Sequence, residues 1–217
     1  MTDWLAPVDE YCERLGPGLW AEPWNLVTNA AFVLAGAVMW HRCRGMPAGR
    51  MLAAMLATIG VGSGLYHAFA NPLTMMMDVV PIQVFILAYL YVAFRDFLGL
   101  PRWGAGLLTA AFLPYAALTV PLWARLDWLG SSAGYVPVLV VMVVFAGVMA
   151  GRAPAVARGL AGAVAIFGVS LTFRTLDEPL CASLPGGTHF LWHLANAVLL
   201  AWLIEVWRRQ RASELGR

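Results

Sequence analysis

The chain has 217 residues, of which 61% are hydrophobic and only 12% charged, half the ~25% of an ordinary soluble domain. A mean hydropathy of +0.72 excludes a disordered chain, a collagen and a water-soluble domain. The net charge of +2 carries no signature of nucleic-acid binding. Seven apolar segments of about 20 residues, the length that spans a bilayer, take about 140 residues. What remains is tails and short loops, so 1–217 is expected to form a single transmembrane domain. All 14 basic residues are Arg. That composition fits a GC-rich bacterial genome, and with it a multi-pass protein of a bacterial plasma membrane.

Residues 1–23 lack the basic start and apolar run of a signal peptide. Asp3, Asp9, Glu10, Glu13 and Glu22 make them an acidic extracytoplasmic tail. Spans are predicted at 24–41, 51–70, 75–94, 103–122, 135–151, 155–173 and 188–207, with Trp and Tyr recurring near their ends as in interfacial belts. Pro114 and Pro137 fall inside the fourth and fifth spans, where neighbouring helices can satisfy a freed carbonyl. Residues 208–217 read as a basic cytoplasmic tail.

Arg14, Arg125 and Arg174 fall on the side of the N-terminal tail. Arg42, Arg44, Arg50, Arg95, Arg102, Arg152, Arg158, Arg208, Arg209, Arg211 and Arg217 fall on the other, a split of 3 against 11. Arginine marks the cytoplasmic side. The expected fold is therefore an all-α membrane protein, a seven-transmembrane helix bundle with its N-terminus outside and C-terminus inside. Cys43 lies on the reducing side. Cys12 and Cys181 lie on the oxidising side, either as a bonded pair or as two separate thiols.

Ionisable residues inside membrane spans are costly and point to function. His67 lies near the outer end of the second span, with Ser63 one turn away on the same face. Asp78 opens the third span, just past the turn 71–74. His189 and His193 open the seventh at i, i+4. Three His and one Asp thus share one depth in the outer leaflet, which points to a metal site. Three imidazoles suit zinc and leave a fourth position for water. Zinc lowers the pKa of water to about 7 and polarises a carbonyl, Asp78 can accept the proton, and Ser63 can donate to an oxyanion. Each residue also has a plainer reading. A membrane His can simply bond a neighbouring helix, and Ser63, flanked by Gly62 and Gly64, can serve close helix packing. Asn25 and Asn29 share a face and can either bond the site or join helices. The clustered carboxylates Asp9, Glu10, Glu13 and Glu22 can bind calcium or form a solvated acidic segment.

Ser63–Gly64–Leu65–Tyr66–His67, Asp78 before Val79–Val80–Pro81–Ile82, and His189–Phe190–Leu191–Trp192–His193 resemble three motifs of the alkaline ceramidases. That family belongs to a superfamily of seven-span hydrolases that includes the adiponectin receptors and the Per1 lipid-remodelling proteins. Glu10–Tyr11–Cys12–Glu13 and Ala21–Glu22–Pro23–Trp24–Asn25 resemble the ceramidase branch, and the similarity runs from Asp9 to Asn196. The resemblance implies zinc on His67, His189 and His193, Asp78 managing the proton of water, Ser63 at the oxyanion, and a Cys12–Cys181 disulfide. It implies calcium held by residues matching Glu10, the backbone of Tyr11, Glu13 and Glu22. The tail departs from the family at Leu15, where the family has Asn, in a stretch before Glu22 that is two residues shorter, and at Glu10, where Asp is usual.

The expected activity is a zinc-dependent intramembrane amidase that hydrolyses the N-acyl bond of ceramide-like membrane lipids to a fatty acid and a sphingoid base. A lipid receptor or scaffold with structural zinc, or an esterase acting on another acyl lipid, would use the same ligands. An ion transporter would need polar groups through both leaflets, and the inner halves of the spans have essentially none apart from Glu205 near an end.

Overall fold

The computed structural model describes residues 3–215. The extremes of the predicted domain 1–217, Arg217 of the arginine count among them, lie outside the described residues. Among the described residues every regular element is a helix. The order is α1 (Pro23–Thr28), α2 (Ala30–Arg42), α3 (Pro47–Phe69), α4 (Pro72–Phe97), α5 (Arg102–Trp123), a 3-10 segment (Asp127–Tyr135), α6 (Val136–Ala150), α7 (Pro154–Leu180) and α8 (His189–Leu215). Among the described residues six stretches are long and apolar enough to cross a bilayer: α3, α4, α5, the 3-10 segment with α6, α7 and α8.

The first predicted span, 24–41, is divided. Thr28 Oγ1 donates back to the Trp24 carbonyl at 2.6 Å and Asn29 Nδ2 to the Asn25 carbonyl at 2.8 Å. Side chains that bond the carbonyl one turn back compete with the helix ladder and bend it. The next backbone bond, Phe32 N–H to the Asn29 carbonyl, spans only three residues, and α1 ends there.

Other boundaries move for identifiable reasons. Proline occupies the first turn of α1, α3, α4, α6 and α7, where its missing N–H costs nothing and its fixed φ suits a helix start. Pro137 therefore sits in the first turn of α6, inside the bilayer-length stretch Asp127–Ala150, and Pro114 is interior to α5, both within spans as expected. Asn71 and Thr74, predicted as a turn, form a capping box: Asn71 Oδ1 accepts from Thr74 N–H at 3.0 Å, and Thr74 Oγ1 accepts from Asn71 N–H at 3.2 Å. That box starts α4 three residues before the predicted 75. α7 and α8 each run about two turns past the predicted 173 and 207. The basic stretch 208–217, expected as a tail, is helical through Leu215.

The tight α3–α4 connection decides what faces what. Ala70, at φ +38°, closes α3, and Asn71 caps α4. The two helices return antiparallel, with Gly62 so close to α4 that a Cβ there would collide with the Met77 carbonyl. Gly60 approaches α1–α2 similarly, its virtual Cβ 2.8 Å from the Asn29 carbonyl. Small residues permit such approach between membrane helices. The tail then lies across the α3–α4 connection, Val8 N–H donating to the Ala70 carbonyl at 2.8 Å.

At the far end of the bundle, buried Glu205 accepts from Arg42, Arg208 and Arg209. Between the two ends the core is apolar, built around Phe32, Leu56, Ile59, Phe85, Leu160 and Ile204.

Gly62→Ala should force α3 and α4 apart and cost about 1–3 kcal/mol, as overpacking of a filled contact does. Thermal unfolding in detergent should show a lower Tm. An unchanged Tm would mean that the close approach does not limit stability.

Candidate metal centre

His67 ends α3, and His189 and His193 begin α8 one turn apart, so two helix ends deliver three imidazoles to one point. All three are buried, and each offers a ligand atom within 4.8 Å of the others. The hydrogen bonds fix which nitrogens face inward. His67 Nδ1 lies 2.5 Å from Glu22 Oε2, and an ionised carboxylate only accepts, so Nδ1 carries the proton. His193 Nδ1 lies 3.0 Å from Thr28 Oγ1. That hydroxyl gives its own proton to the Trp24 carbonyl, so His193 Nδ1 is also the donor. Both Nε2 atoms are left as lone-pair acceptors, 3.1 Å apart. Two acceptors that close repel unless a cation lies between them. His189 adds a buried Nδ1 with no hydrogen-bond partner among the described residues. The donor set fits a borderline metal such as zinc, and the partners Glu22 and Thr28 are the outer groups that orient histidine ligands.

Asp78 and Ser63 complete the surroundings. Both are buried and neighbour each other, yet Asp78 Oδ1 and Ser63 Oγ have no partner in full hydrogen-bond geometry among the described residues. Asp78 stands outside the 4.8 Å set of ligand atoms yet within electrostatic reach of His67. Orphaned buried polar atoms are rare in native proteins and call for an explanation. A metal with its water, and a bound polar substrate, would supply their partners.

The acidic tail is built differently from a cluster of free carboxylates. Glu22 Oε1 pairs with Arg14 Nε, and Oε2 accepts from Asn25 Nδ2 at 3.1 Å as well as from His67. Burial pushes the Glu22 carboxyl up, but His67, Asn25 and Arg14 together hold it below the usual range. Glu13 caps α1, accepting from the backbone N–H groups of Trp24 and Asn25 at 2.7 and 2.8 Å. Burial of the Glu13 carboxyl outweighs those two bonds and pushes it up. Glu10 accepts from Tyr66 Oη at 2.7 Å. Of the residues expected to hold calcium, Glu10 faces Tyr66, Glu13 the start of α1, and Glu22 Arg14, Asn25 and His67. Arg14 also donates to the Gly16 and His67 carbonyls.

Tyr11 acts through its ring, which stacks on His189 at 3.9 Å and lies 5.1 Å from His67. Cys12 is bonded to Cys181. Of the two open asparagines, Asn25 joins the Glu22 network, while Asn29 bonds the backbone of its own helix.

Three contributors were not singled out from the sequence. Thr28 resembles any helix threonine. Asp177 is buried. Its Oδ1 accepts from the N–H groups of Thr188 and His189 at 2.6 and 2.9 Å, and its Oδ2 from Cys12 N–H at 3.3 Å. It fixes the start of α8, and so His189, to the tail. Arg174 was counted only as an outer-side charge. Its guanidinium lies 5.3 Å from the centre of the Tyr135 ring and 5.1 Å from that of Trp192. A position before Asp177 at i, i+3 on a helix face was the available signal for it.

Glu22→Gln removes the acceptor that holds His67, so affinity for zinc ion should fall about 10–100-fold, the usual loss for such outer groups. Competition against a chromogenic chelator measures it. Unchanged affinity would leave Glu22 with a purely tail-anchoring role.

Scanned against models of known protein families the chain matches none, and a search of curated proteins likewise gives no match.

Proposed function

We propose that the chain is a zinc-dependent intramembrane amidase that cleaves the N-acyl bond of a ceramide-like lipid. The observation that carries this reading is the meeting of three buried histidines, two of them with lone pairs 3.1 Å apart, with the orphaned oxygens of Asp78 and Ser63. An apolar cavity beside them supports it. Phe32, Phe85, Met142 and Leu203 line that cavity, and so do Tyr135 and Trp192 next to the histidines. A saturated acyl chain needs such walls, and a carbonyl at its head would reach the histidines.

His67, His189 and His193 would hold zinc, which would supply Lewis acidity and a water acidic enough to react near neutral pH. The chain's own groups do the rest. Asp78 takes the proton from water and returns it to the departing nitrogen. Ser63 donates to the carbonyl oxygen as negative charge develops there. Glu22 and Thr28 keep two imidazoles in the tautomer that presents Nε2. Tyr11 and the disulfide-tied tail cover the histidines and limit bulk water.

The membrane arrangement is part of the same proposal. α1 and α2 together cover residues 23–42, about 30 Å at 1.5 Å per residue, and supply a seventh crossing. The arginine split then sets the tail outside a bacterial plasma membrane.

Free fatty acid release, read by mass spectrometry from a panel of N-acyl and O-acyl lipids, tests the reaction. Zinc-loaded protein should release fatty acid from N-acyl lipids, and His193→Ala should abolish both release and zinc binding. Activity retained in that variant would sink the scheme. Release from O-acyl lipids alone would make the protein an esterase. No release from zinc-bearing protein would favour a receptor with structural zinc.

A further inference from the structure

Arg174 is a basic side chain that the proposed reaction leaves unused. It stands in the apolar helix α7, about two turns from its end. Among the described residues it takes part in no ion pair, whereas Arg14, Arg42, Arg95, Arg208, Arg209 and Arg211 do. Its Nε is buried without a hydrogen-bond partner. The carboxylates near it have other partners. Asp177, on its own helix, is taken by three backbone N–H groups, and Glu10, across the cavity, by Tyr66. Glu178 and Asp9 line the same cavity but are exposed. Asp78, within electrostatic reach of Arg174, belongs to the reaction, and the Tyr11 hydroxyl faces the guanidinium as a neutral partner. Arg174 is half-buried, and an arginine in a membrane helix without an ion pair is costly. Packing against the Tyr135 and Trp192 rings offsets part of that cost. A hydrophobic residue would be cheaper here, so the charge has a use.

Its position says which. Tyr135 and Trp192 line the apolar cavity, and Arg174 rests on both rings. On its other side Arg174 lines a polar cavity of about 670 Å³ together with Tyr11, Ser131 and Asp177. The histidines stand at this boundary: Tyr11 stacks on His189 at 3.9 Å, and Trp192 stacks on it at 5.1 Å. An amphiphile with its acyl chain in the apolar cavity and its amide at the histidines would place its polar end beside Arg174. Only a few bonds would separate that end from the amide. A guanidinium presents a planar fork of donors that matches carboxylate and phosphate.

We propose that Arg174 binds an acidic group on the polar end of the substrate, so that the chain prefers N-acyl lipids with a carboxylate close to the amide over neutral ones. This rests on the amidase reading and adds the substrate's charge to it. With N-palmitoylglycine, water adds at the carbonyl carbon, the C–N bond breaks, and palmitate and glycine leave, the nitrogen taking up the proton.

The test uses full-length, zinc-loaded protein with four substrates: N-palmitoylglycine, its neutral isostere N-palmitoylglycinamide, N-palmitoyl-O-phosphoethanolamine and a C16 ceramide. kcat/KM on N-palmitoylglycine should exceed that on the glycinamide by about 10–100-fold, the worth of a charged hydrogen bond. Arg174→Gln should erase the difference by slowing the acid alone, and Arg174→Lys should restore part of it. Zinc content and Tm of both variants should match wild type. If the phosphate lipid is the best substrate and depends on Arg174, the acidic-group assignment holds with phosphate as the acid. Equal wild-type rates on acid and isostere, or an equal loss on both in Arg174→Gln, would overturn it.

A second readout separates this proposal from the amidase itself. N-palmitoylglycine should raise the Tm of wild type more than the glycinamide does, and Arg174→Gln should lose that excess. This outcome without any turnover would remove the amidase and keep the anion site. Turnover of neutral lipids without the excess would do the reverse.

Discussion

A carboxylate without solvent is stable only where other groups surround it with positive charge and donors. Glu22 is 1% exposed, and the groups that make it tolerable come from three places. Arg14 comes from the tail, Asn25 from α1 and His67 from the end of α3. Satisfying Glu22 therefore folds the tail back over the bundle and orients His67 in a single step. The Cys12–Cys181 bond and the Asp177 cap repeat the coupling on the other side, where they tie the tail to α7 and to the first residues of α8. The histidines are consequently held by elements far apart in sequence that share one polar network. Loosening the tail is expected to be felt at the metal centre before it is felt in the apolar core.

The polar atoms are also confined by depth. Ser63, His67, Asp78, His189, His193 and Glu22 lie toward the tail end of the bundle, whereas the core below them is made of Phe, Leu, Ile and Val. Glu205 and its arginines sit beyond that core.

Much of this was legible in the sequence, for physical reasons. Apolar runs of bilayer length identify helices whatever their neighbours. The i, i+4 spacing of His189 and His193, and of Ser63 and His67, fixes shared faces without tertiary information. What escaped were effects of pairing. Hydropathy does not register Thr28 and Asn29 bonding back to carbonyls, so α1 and α2 looked like one helix. The acidic tail looked like a cluster of free carboxylates because composition shows charges and not their partners. Only the folded chain shows Glu13 spent on a helix cap and Glu22 spent on a histidine.

The two helices that outran their predicted ends carry the same lesson. The last turns of α7 are less apolar than a span should be, since they hold Arg174, Asp177 and Glu178, and hydropathy closes the span before them. Yet a helix keeps its ladder through polar residues whenever the side chains find partners, and Asp177 finds two backbone donors at the start of α8 and a third at Cys12 in the tail. The extra turns lift Arg174 to the level of the histidines and Asp177 to the level of the disulfide. Had α7 stopped at 173, the chain would still have spanned a bilayer, but nothing would anchor the first turn of α8, and no cation would stand between the apolar cavity and the polar one.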